Sequence, residues 1–193
     1  MGDYILNTVN YDYKTLNHEG FGGVCKYIAT PKRVGYPRLL VKHENIQSAC
    51  NTFMCSRLAE LCGVYTPKAC LMSTSGETRR LFPMHPFIVG TEWVEDFSAV
   101  DYDRVKESPV LRQQYLDSMA LYAMLCRIAD TPQFAYSSTK GVFAYDWDEA
   151  FDVTDFVIKL CLYNTDAGTE QLRRMLRHFS QHPFESDAEL CLQ

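Results

Sequence analysis

The strongest structural constraint in this sequence is an apolar repeat between residues 45 and 62. Steps of three and four residues place side chains on one face of an α-helix, and this spacing is shown by Ile46, Ala49, Cys50, Phe53, Met54, Leu58, Leu61 and Cys62. Gly63 follows directly, and glycine commonly ends helices because it adopts the left-handed conformation without strain. The pattern predicts a helix over 45–62 that ends at Gly63.

Short segments rich in β-branched and aromatic residues lie on both sides of this helix. Such residues favour strands, and they predict strands over 4–13, 24–29, 38–42, 64–72 and 78–84. The last two are separated by a hairpin turn at 73–76. A turn containing Gly20, Gly22 and Gly23 separates the first two strands, and the third strand ends in Lys42. We expect a small antiparallel sheet with one helix in this half of the chain.

The second half of the sequence is predicted to be mostly helical. Apolar repeats indicate helices over 109–130, 152–163 and 168–181. Turn-forming residues at 137–141 separate two short strand patterns, which is typical of a β-hairpin formed by 133–136 and 142–145. The expected fold class is therefore α+β, with an N-terminal lobe over residues 1–85 and a helical C-terminal lobe over 86–193.

Charge and hydropathy exclude two classes of protein. The 193 residues include 19 Lys+Arg and 24 Asp+Glu, a formal net charge of −5, whereas nucleic-acid binders usually carry a basic surface. No run approaches the roughly 18 apolar residues of a membrane span, and residues 1–7 show no basic and apolar leader. We expect a cytoplasmic protein with no nucleic-acid partner and no membrane span.

Three features fit the binding of a phosphorylated ligand. The glycine turn allows backbone N–H groups to approach a phosphate, although hairpin turns also use glycine. Lys42 ends an apolar strand, from which an inward-facing lysine can reach phosphate oxygens and an outward-facing one would meet solvent. Asp130 and Asp146 flank the predicted hairpin, and two carboxylates there suit one substrate-orienting role and one Mg²⁺ ligand. The structural alternative for Asp130 is a helix-end aspartate.

The order of these features resembles a minimal protein-kinase-like fold, nearest to its HipA-type and phosphoinositide-kinase-type branch. The resemblance covers roughly residues 15–160. It rests on the lysine strand 39–42, the helix-to-strand segment 55–67, the approach to a catalytic-loop aspartate at 125–130, and the metal-aspartate strand 142–151. The resemblance implies two lobes and an ATP-dependent phosphotransferase that uses Mg²⁺.

The resemblance also implies a role for each candidate residue. Nucleotide binding falls to Gly20, Gly22, Gly23, Lys42, Met84 and His85, the last two in a linker against which adenine would lie. Asp130 would orient the acceptor hydroxyl as the catalytic aspartate. The metal ligands would be Asp146, Gln133 and Asp148. The partners are thus a nucleotide and a phosphoryl acceptor, which is a protein, a lipid or a small molecule.

Two departures from the family pattern support a second hypothesis. Ala135 stands where the family has a metal-binding asparagine. Asn51 and Thr52 stand where family helices place a glutamate that pairs with the nucleotide lysine. A pseudokinase-like module that binds a nucleotide or a protein without catalysis is therefore the alternative to an active kinase.

Cysteine chemistry gives a third hypothesis. The eight cysteines include no C-x-x-C pair, which argues against zinc-ribbon and thioredoxin-like sites. A thiolate paired with an imidazole is a nucleophile, and Cys25 with His18, His43 or His85 supplies the residue types for a cysteine hydrolase. No protease-type motif surrounds Cys25, so this hypothesis ranks third.

Overall fold

The computed structural model describes residues 5–16, 25–83, 86–125, 133–148 and 150–151. The described residues form two compact units. The first comprises those up to Leu58 together with Pro67–Glu95, and the second comprises Ala59–Thr66 together with those from Asp96 onward. Among the described helices, none is long and apolar enough to cross a bilayer.

The first unit contains a six-stranded mixed sheet. Its strands span Ile5–Asn7 (β1), Tyr11–Thr15 (β2), Lys26–Pro31 (β3), Leu39–Lys42 (β4), Ala69–Ser73 (β5) and Phe87–Glu92 (β6). Their order across the sheet is β1-β5-β6-β4-β3-β2, and β1 pairs with β5 in parallel while all other pairs are antiparallel. The prediction of a small, wholly antiparallel sheet is therefore wrong in strand number and in the direction of β1.

The predicted single strand over residues 4–13 is interrupted by a 3-10 turn at Thr8–Asn10. The Asn7 side chain accepts a hydrogen bond from the Val9 amide (3.0 Å), which bends the backbone away from the strand. The buried Thr8 hydroxyl donates to the Ser73 carbonyl on β5 (3.0 Å). The interruption lets the two halves pair with different strands, β1 with β5 and β2 with β3.

The predicted strand at 78–84 is also wrong, because a 3-10 turn occupies Gly76–Arg80. Gly76 has a φ of +56°, and the Thr78 hydroxyl donates to the Ser75 carbonyl (2.6 Å). These local bonds satisfy polar groups that a strand would offer to a neighbour. The antiparallel partner of β5 is instead β6.

The predicted helix is confirmed as α1, Ile46–Leu61. Gly63 ends it in the left-handed conformation, with a φ of +72°. The Gly63 amide donates to the Glu60 carbonyl (3.2 Å) and the Val64 amide to the Ala59 carbonyl (2.9 Å). This pair of bonds is the Schellman motif, which satisfies the last helical carbonyls and redirects the chain.

The two faces of the first sheet bury different side chains, because successive strand residues point to opposite faces. One face forms a core cluster of Tyr11, Ala29, Leu39, Val41, Met72, Phe82 and Ile88. On the other face, Ala69 and Val89 pack with Ala49 and Phe53 of α1. Helix α1 therefore covers the face opposite Leu39 and Val41.

The second unit combines a small sheet with helices. Its elements span Ser98–Ala99 (β7), Tyr102–Glu107 (α2), Pro109–Leu125 (α3), Phe134–Ser137 (β8) and Gly141–Ala144 (β9). The strands pair antiparallel in the order β7-β8-β9. Val105, Tyr115, Met119 and Val142 form the core between helices and sheet. The predicted hairpin is confirmed, and so is the predicted long helix as far as Leu125.

Two further predictions concern the C-terminal helices and the boundary between the lobes. The helices at 152–163 and 168–181 lie outside the described residues, so a mostly helical C-terminal lobe stays a prediction. The predicted lobe boundary at residue 85 precedes β6, which is hydrogen-bonded between β4 and β5. The described first unit thus continues to Glu95.

Candidate functional site

Lys42 is half-buried at the end of β4. Leu39 and Val41 lie in the core cluster of one face, so alternation places Leu40 and Lys42 on the other face. Register confirms which face this is, since Leu40 pairs with Thr91, and Thr91 pairs with Ala69 beneath α1. Lys42 therefore lies on the helix-covered face.

A second lysine lies directly opposite Lys42. The strand register pairs Lys26 of β3 with Lys42. The His43 amide donates to the Cys25 carbonyl (2.8 Å), so Cys25 and His43 form a hydrogen-bonded pair and the next pair, Lys26 and Lys42, is a non-hydrogen-bonded one. Opposed residues at such positions are the closer kind, with Cα atoms about 4.5 Å apart. The sequence reasoning missed Lys26, since only the register reveals this juxtaposition.

Helix α1 offers no carboxylate at the positions where the resembled family has a glutamate. Asn51 is 8 % exposed and Thr52 is 4 % exposed. Within the described part of the chain, the Thr52 hydroxyl has no hydrogen-bond partner. Buried, uncharged polar side chains thus occupy these positions.

Several predicted site residues lie outside the described residues, and their roles stay predictions. They are Gly20, Gly22, Gly23, Met84, His85 and Asp130. The strands that flank the glycine turn are described, and the Leu16 amide donates to the Lys26 carbonyl (2.8 Å). The segment with the three glycines therefore connects two paired strands and begins next to Lys26.

Asp146 is half-buried just beyond the end of β9. The Tyr145 amide donates to the Gln133 carbonyl (3.2 Å), which extends the hairpin by one pair. Gln133, which is exposed, therefore stands opposite the residue before Asp146, and the half-buried Asp148 follows two residues later. Sequence reasoning named these three residues, and the hairpin brings Gln133 to the same end as the two aspartates.

This donor set fits a magnesium ion that is also held by a nucleotide. Mg²⁺ in nucleotide enzymes commonly takes one or two protein carboxylates and completes its shell with phosphate oxygens and water. Asp146 and Asp148 supply hard carboxylate oxygens of this kind. Among the residues that the structure describes, no group of three or more His, Cys, Asp or Glu side chains forms a complete protein cage for a metal.

The hydroxyl of Thr66 bonds to residues on both sides of Asp146. It donates to the Ala144 carbonyl (2.7 Å) and accepts from the Trp147 indole N–H (3.0 Å). β9 is the edge strand of its sheet, and because the Tyr145 amide points to β8, the Ala144 carbonyl points outward. Leaving that buried carbonyl without a donor would cost about 1–3 kcal/mol.

Tyr65 and Thr66 run along the open edge of β9. Tyr65 packs edge-on against Phe143, with ring centroids 5.2 Å apart, and the Lys140 ammonium lies 5.0 Å from the Tyr65 ring centroid. The Schellman turn at Gly63 directs the chain to this edge. The sequence reasoning cited Thr66 only within a family-like segment, and no local pattern indicates its hydrogen bonds.

The opposite end of the hairpin is fixed by Asp96. Its carboxylate accepts hydrogen bonds from the Ser137 hydroxyl (2.7 Å) and the Ser138 amide (2.6 Å). Hydrogen bonds from the Ser138 and Ser137 side chains lower the pKa of Asp96 from 3.8 to about 2. The β8–β9 hairpin is thus tied at its turn by Asp96 and along its edge by Thr66.

The structure places one of the predicted cysteine–histidine pairs close together. Cys25, just before β3, and His43, just after β4, are opposed to each other, and both are exposed. The Cys25 thiol is hydrogen-bonded to Tyr27, which raises the pKa of that tyrosine. The other two histidines, His18 and His85, lie outside the described residues. The structure therefore brings one thiol and one imidazole to opposed positions on neighbouring strands.

No family model and no curated protein matches the sequence. The chain is similar in structure to a proinflammatory kinase of Helicobacter pylori, CtkA, with a TM-score of 0.45 and 11% sequence identity. The alignment covers 83% of this chain and 66% of that one, so the chain spans about two thirds of the length of that kinase.

Proposed function

We propose that this chain is an ATP-dependent phosphotransferase of the kinase-like type. The observation that carries the proposal is the placement of Lys42, half-buried on the helix-covered face of β4 and directly opposite Lys26. Two lysine side chains on one face of a sheet supply cationic donors of the kind that bind phosphate oxygens, and this attraction acts over a short range. The net charge of −5 does not oppose this, because the attraction is local.

Each unit has its own part in the proposed chemistry. In the first unit, Lys42 holds nucleotide phosphates, the backbone of Gly20, Gly22 and Gly23 covers them, and Met84 and His85 contact the adenine. In the second unit, Asp146 binds Mg²⁺ with Asp148 or Gln133. A divalent cation held there would supply positive charge to the phosphates during transfer. Asp130 orients the acceptor hydroxyl. We also propose that the fold belongs to the HipA-type branch of kinase-like proteins.

One observation favours a non-catalytic alternative. Ala135, at the position of the family's metal-binding asparagine, is fully buried within β8 and pairs with Phe143. Alanine has no donor atom in its side chain, so position 135 cannot supply the ligand that the asparagine gives in the family. A nucleotide-binding module without phosphoryl transfer is therefore the second candidate function.

Titration of the full chain with ATP, in the presence and absence of Mg²⁺, separates these readings. Calorimetry measures binding, and release of inorganic phosphate or labelling of an acceptor measures transfer. Binding with transfer supports the kinase, and binding without transfer supports the non-catalytic module. Absence of ATP binding contradicts both, and the opposed Cys25 and His43 then become the next residues to test, by thiol alkylation.

The magnesium assignment predicts a specific loss in Asp146→Asn. The amide oxygen is a weaker ligand for a hard cation than the carboxylate, so ATP affinity should lose its dependence on Mg²⁺ while metal-free ATP binding persists. Asp103→Asn is the control, because Asp103 is exposed on α2 and its carboxylate bonds to Lys106 (3.1 Å) at the surface. An unchanged Mg²⁺ dependence in Asp146→Asn would contradict the assignment.

A further inference from the structure

The backbone that carries Asp146 is held from two directions. On the sheet side, the Tyr145 amide donates to the Gln133 carbonyl (3.2 Å). On the open side, the Thr66 hydroxyl bonds to the Ala144 carbonyl (2.7 Å) and to the Trp147 indole (3.0 Å). A single hydroxyl thus joins the residues that precede and follow the pair Tyr145–Asp146.

Trp147, the second hydrogen-bond partner of the Thr66 hydroxyl, is itself held in place. Trp147 is 2 % exposed, and its ring packs against Tyr122 of α3, with centroids 5.2 Å apart. The Ala150 amide donates to the Trp147 carbonyl (3.2 Å). Because Trp147 is held in this way, the hydroxyl of Thr66 bonds to a fixed indole, and the short segment between Ala144 and Trp147 has little freedom to rotate.

The bonding pattern requires a hydroxyl at position 66. A hydroxyl is both a donor and an acceptor, and here it uses its proton for the Ala144 carbonyl and a lone pair for the Trp147 N–H. Thr66 is 5 % exposed, so water cannot easily replace either bond. Valine has the same shape as threonine but has no donor or acceptor in its side chain, whereas serine keeps both.

We propose that Thr66 is a positioning residue that fixes the direction of the Asp146 carboxylate toward a divalent cation. The proposal rests on the proposed function, since it assumes that Asp146 binds the metal. Groups that hold a metal ligand in place usually change metal affinity by about 10- to 100-fold when they are removed. Thr66 acts through the backbone on either side of Asp146, so we expect a loss near the lower limit.

The test uses Mn²⁺ as the probe, in the presence of ATP, on the full chain. Because ATP itself chelates Mn²⁺, calorimetric titration of the protein with Mn²⁺–ATP and with metal-free ATP gives the metal-dependent affinity. The ¹⁵N-labelled indole signal of Trp147 reports the hydrogen bond. Thr66→Val should weaken Mn²⁺ binding about tenfold and speed exchange of the indole N–H, and Thr66→Ser should restore both. Trp147→Phe removes one of the two bonds and should have a smaller effect on Mn²⁺ affinity.

Thr139→Val is the matched control, because Thr139 bonds to the Ser137 hydroxyl (3.0 Å) at the turn of the same hairpin. It loses one hydroxyl from the hairpin at the end away from Asp146 and should keep the affinity of the parent. The same Mn²⁺ affinity in Thr66→Val and Thr139→Val, with Asp146→Asn strongly impaired, would overturn the positioning role alone. If Asp146→Asn binds Mn²⁺ as the parent does, the metal assignment fails and the positioning role fails with it.

Discussion

Asp96 shows how one exposed side chain can organise a turn. Its two carboxylate oxygens are satisfied by the Ser137 hydroxyl and by the amide and hydroxyl of Ser138. Hydrogen bonds to the charged form stabilise that form, and they lower the pKa of Asp96 to about 2. The turn therefore depends on the ionised carboxylate.

This dependence predicts the effect of pH on stability. Because the pKa of folded Asp96 is about 2 and its ordinary value is 3.8, the stabilisation is complete above the ordinary value and disappears as the pH falls through the folded one. Asp96→Asn should be less stable than the parent at about pH 5, and the difference should shrink toward about pH 2. Urea midpoints measure it, and a difference independent of pH would contradict the assignment.

Among the elements, β6 shows why a central strand contains a glycine. Val41 of β4 and Cys70 of β5 flank Gly90 in the sheet. A Cβ at position 90 would lie 2.9 Å from Leu39 Cδ1 and from Met72 Sδ. Both neighbours are fully buried, so the close packing of β4 and β5 across β6 leaves room only for hydrogen.

We therefore expect Gly90→Ala to destabilise the first unit by about 1–3 kcal/mol, the usual cost of overpacking a well-packed core. Chemical denaturation measures the change in the free energy of unfolding. Thr91→Ala is the control, because Thr91 faces the other side of β6 and loses only a long hydrogen bond to the Leu40 carbonyl (3.4 Å). Because glycine is less favourable in a strand than alanine, a Gly90→Ala variant as stable as the parent would contradict the close packing at Gly90.

Elements whose pattern is local could be predicted from the sequence. Helix α1, its end at Gly63 and the β8–β9 hairpin depend on spacings within about 20 residues. The 3-10 turn at 76–80 was mispredicted as a strand, because local hydrogen bonds there replace the bonds that a strand makes to its neighbour. The pairing of β1 with β5 was not predictable either, since it joins segments some 65 residues apart, and no local pattern states which distant edge a strand will join.

Some residues of the candidate site could be predicted from the sequence and others could not. Lys42 and Asp146 could be proposed because each is a charged residue that follows an apolar strand. Lys26 and Thr66 were missed, because Lys26 matters only through its register with Lys42, and Thr66 only through bonds to Ala144 and Trp147. Their placement depends on tertiary structure, which residue type and spacing do not encode.

At the scale of the whole molecule, each unit has its own sheet and its own candidate charges. The chain passes from one unit to the other after Leu58, after Thr66 and after Glu95. The segment between the first two of these points brings Thr66 to the second unit, whereas Lys26 and Lys42 lie in the first. The candidate phosphate-binding residues and the candidate metal-binding residues can therefore be varied in different units.

The most direct test of the account is the affinity of Lys42→Ala for ATP and for adenosine, measured by calorimetry. A charge-assisted contact with phosphate contributes roughly 1.5–3 kcal/mol, and each 1.4 kcal/mol is about tenfold in affinity. Lys42→Ala should bind ATP about 10- to 100-fold more weakly than the parent and adenosine with the affinity of the parent. The control is Lys68→Ala, which alters an exposed lysine of the same unit and should bind both ligands as the parent does. Equal affinity of Lys42→Ala and the parent for ATP, or equal losses for ATP and adenosine, would contradict a phosphate-binding role for Lys42.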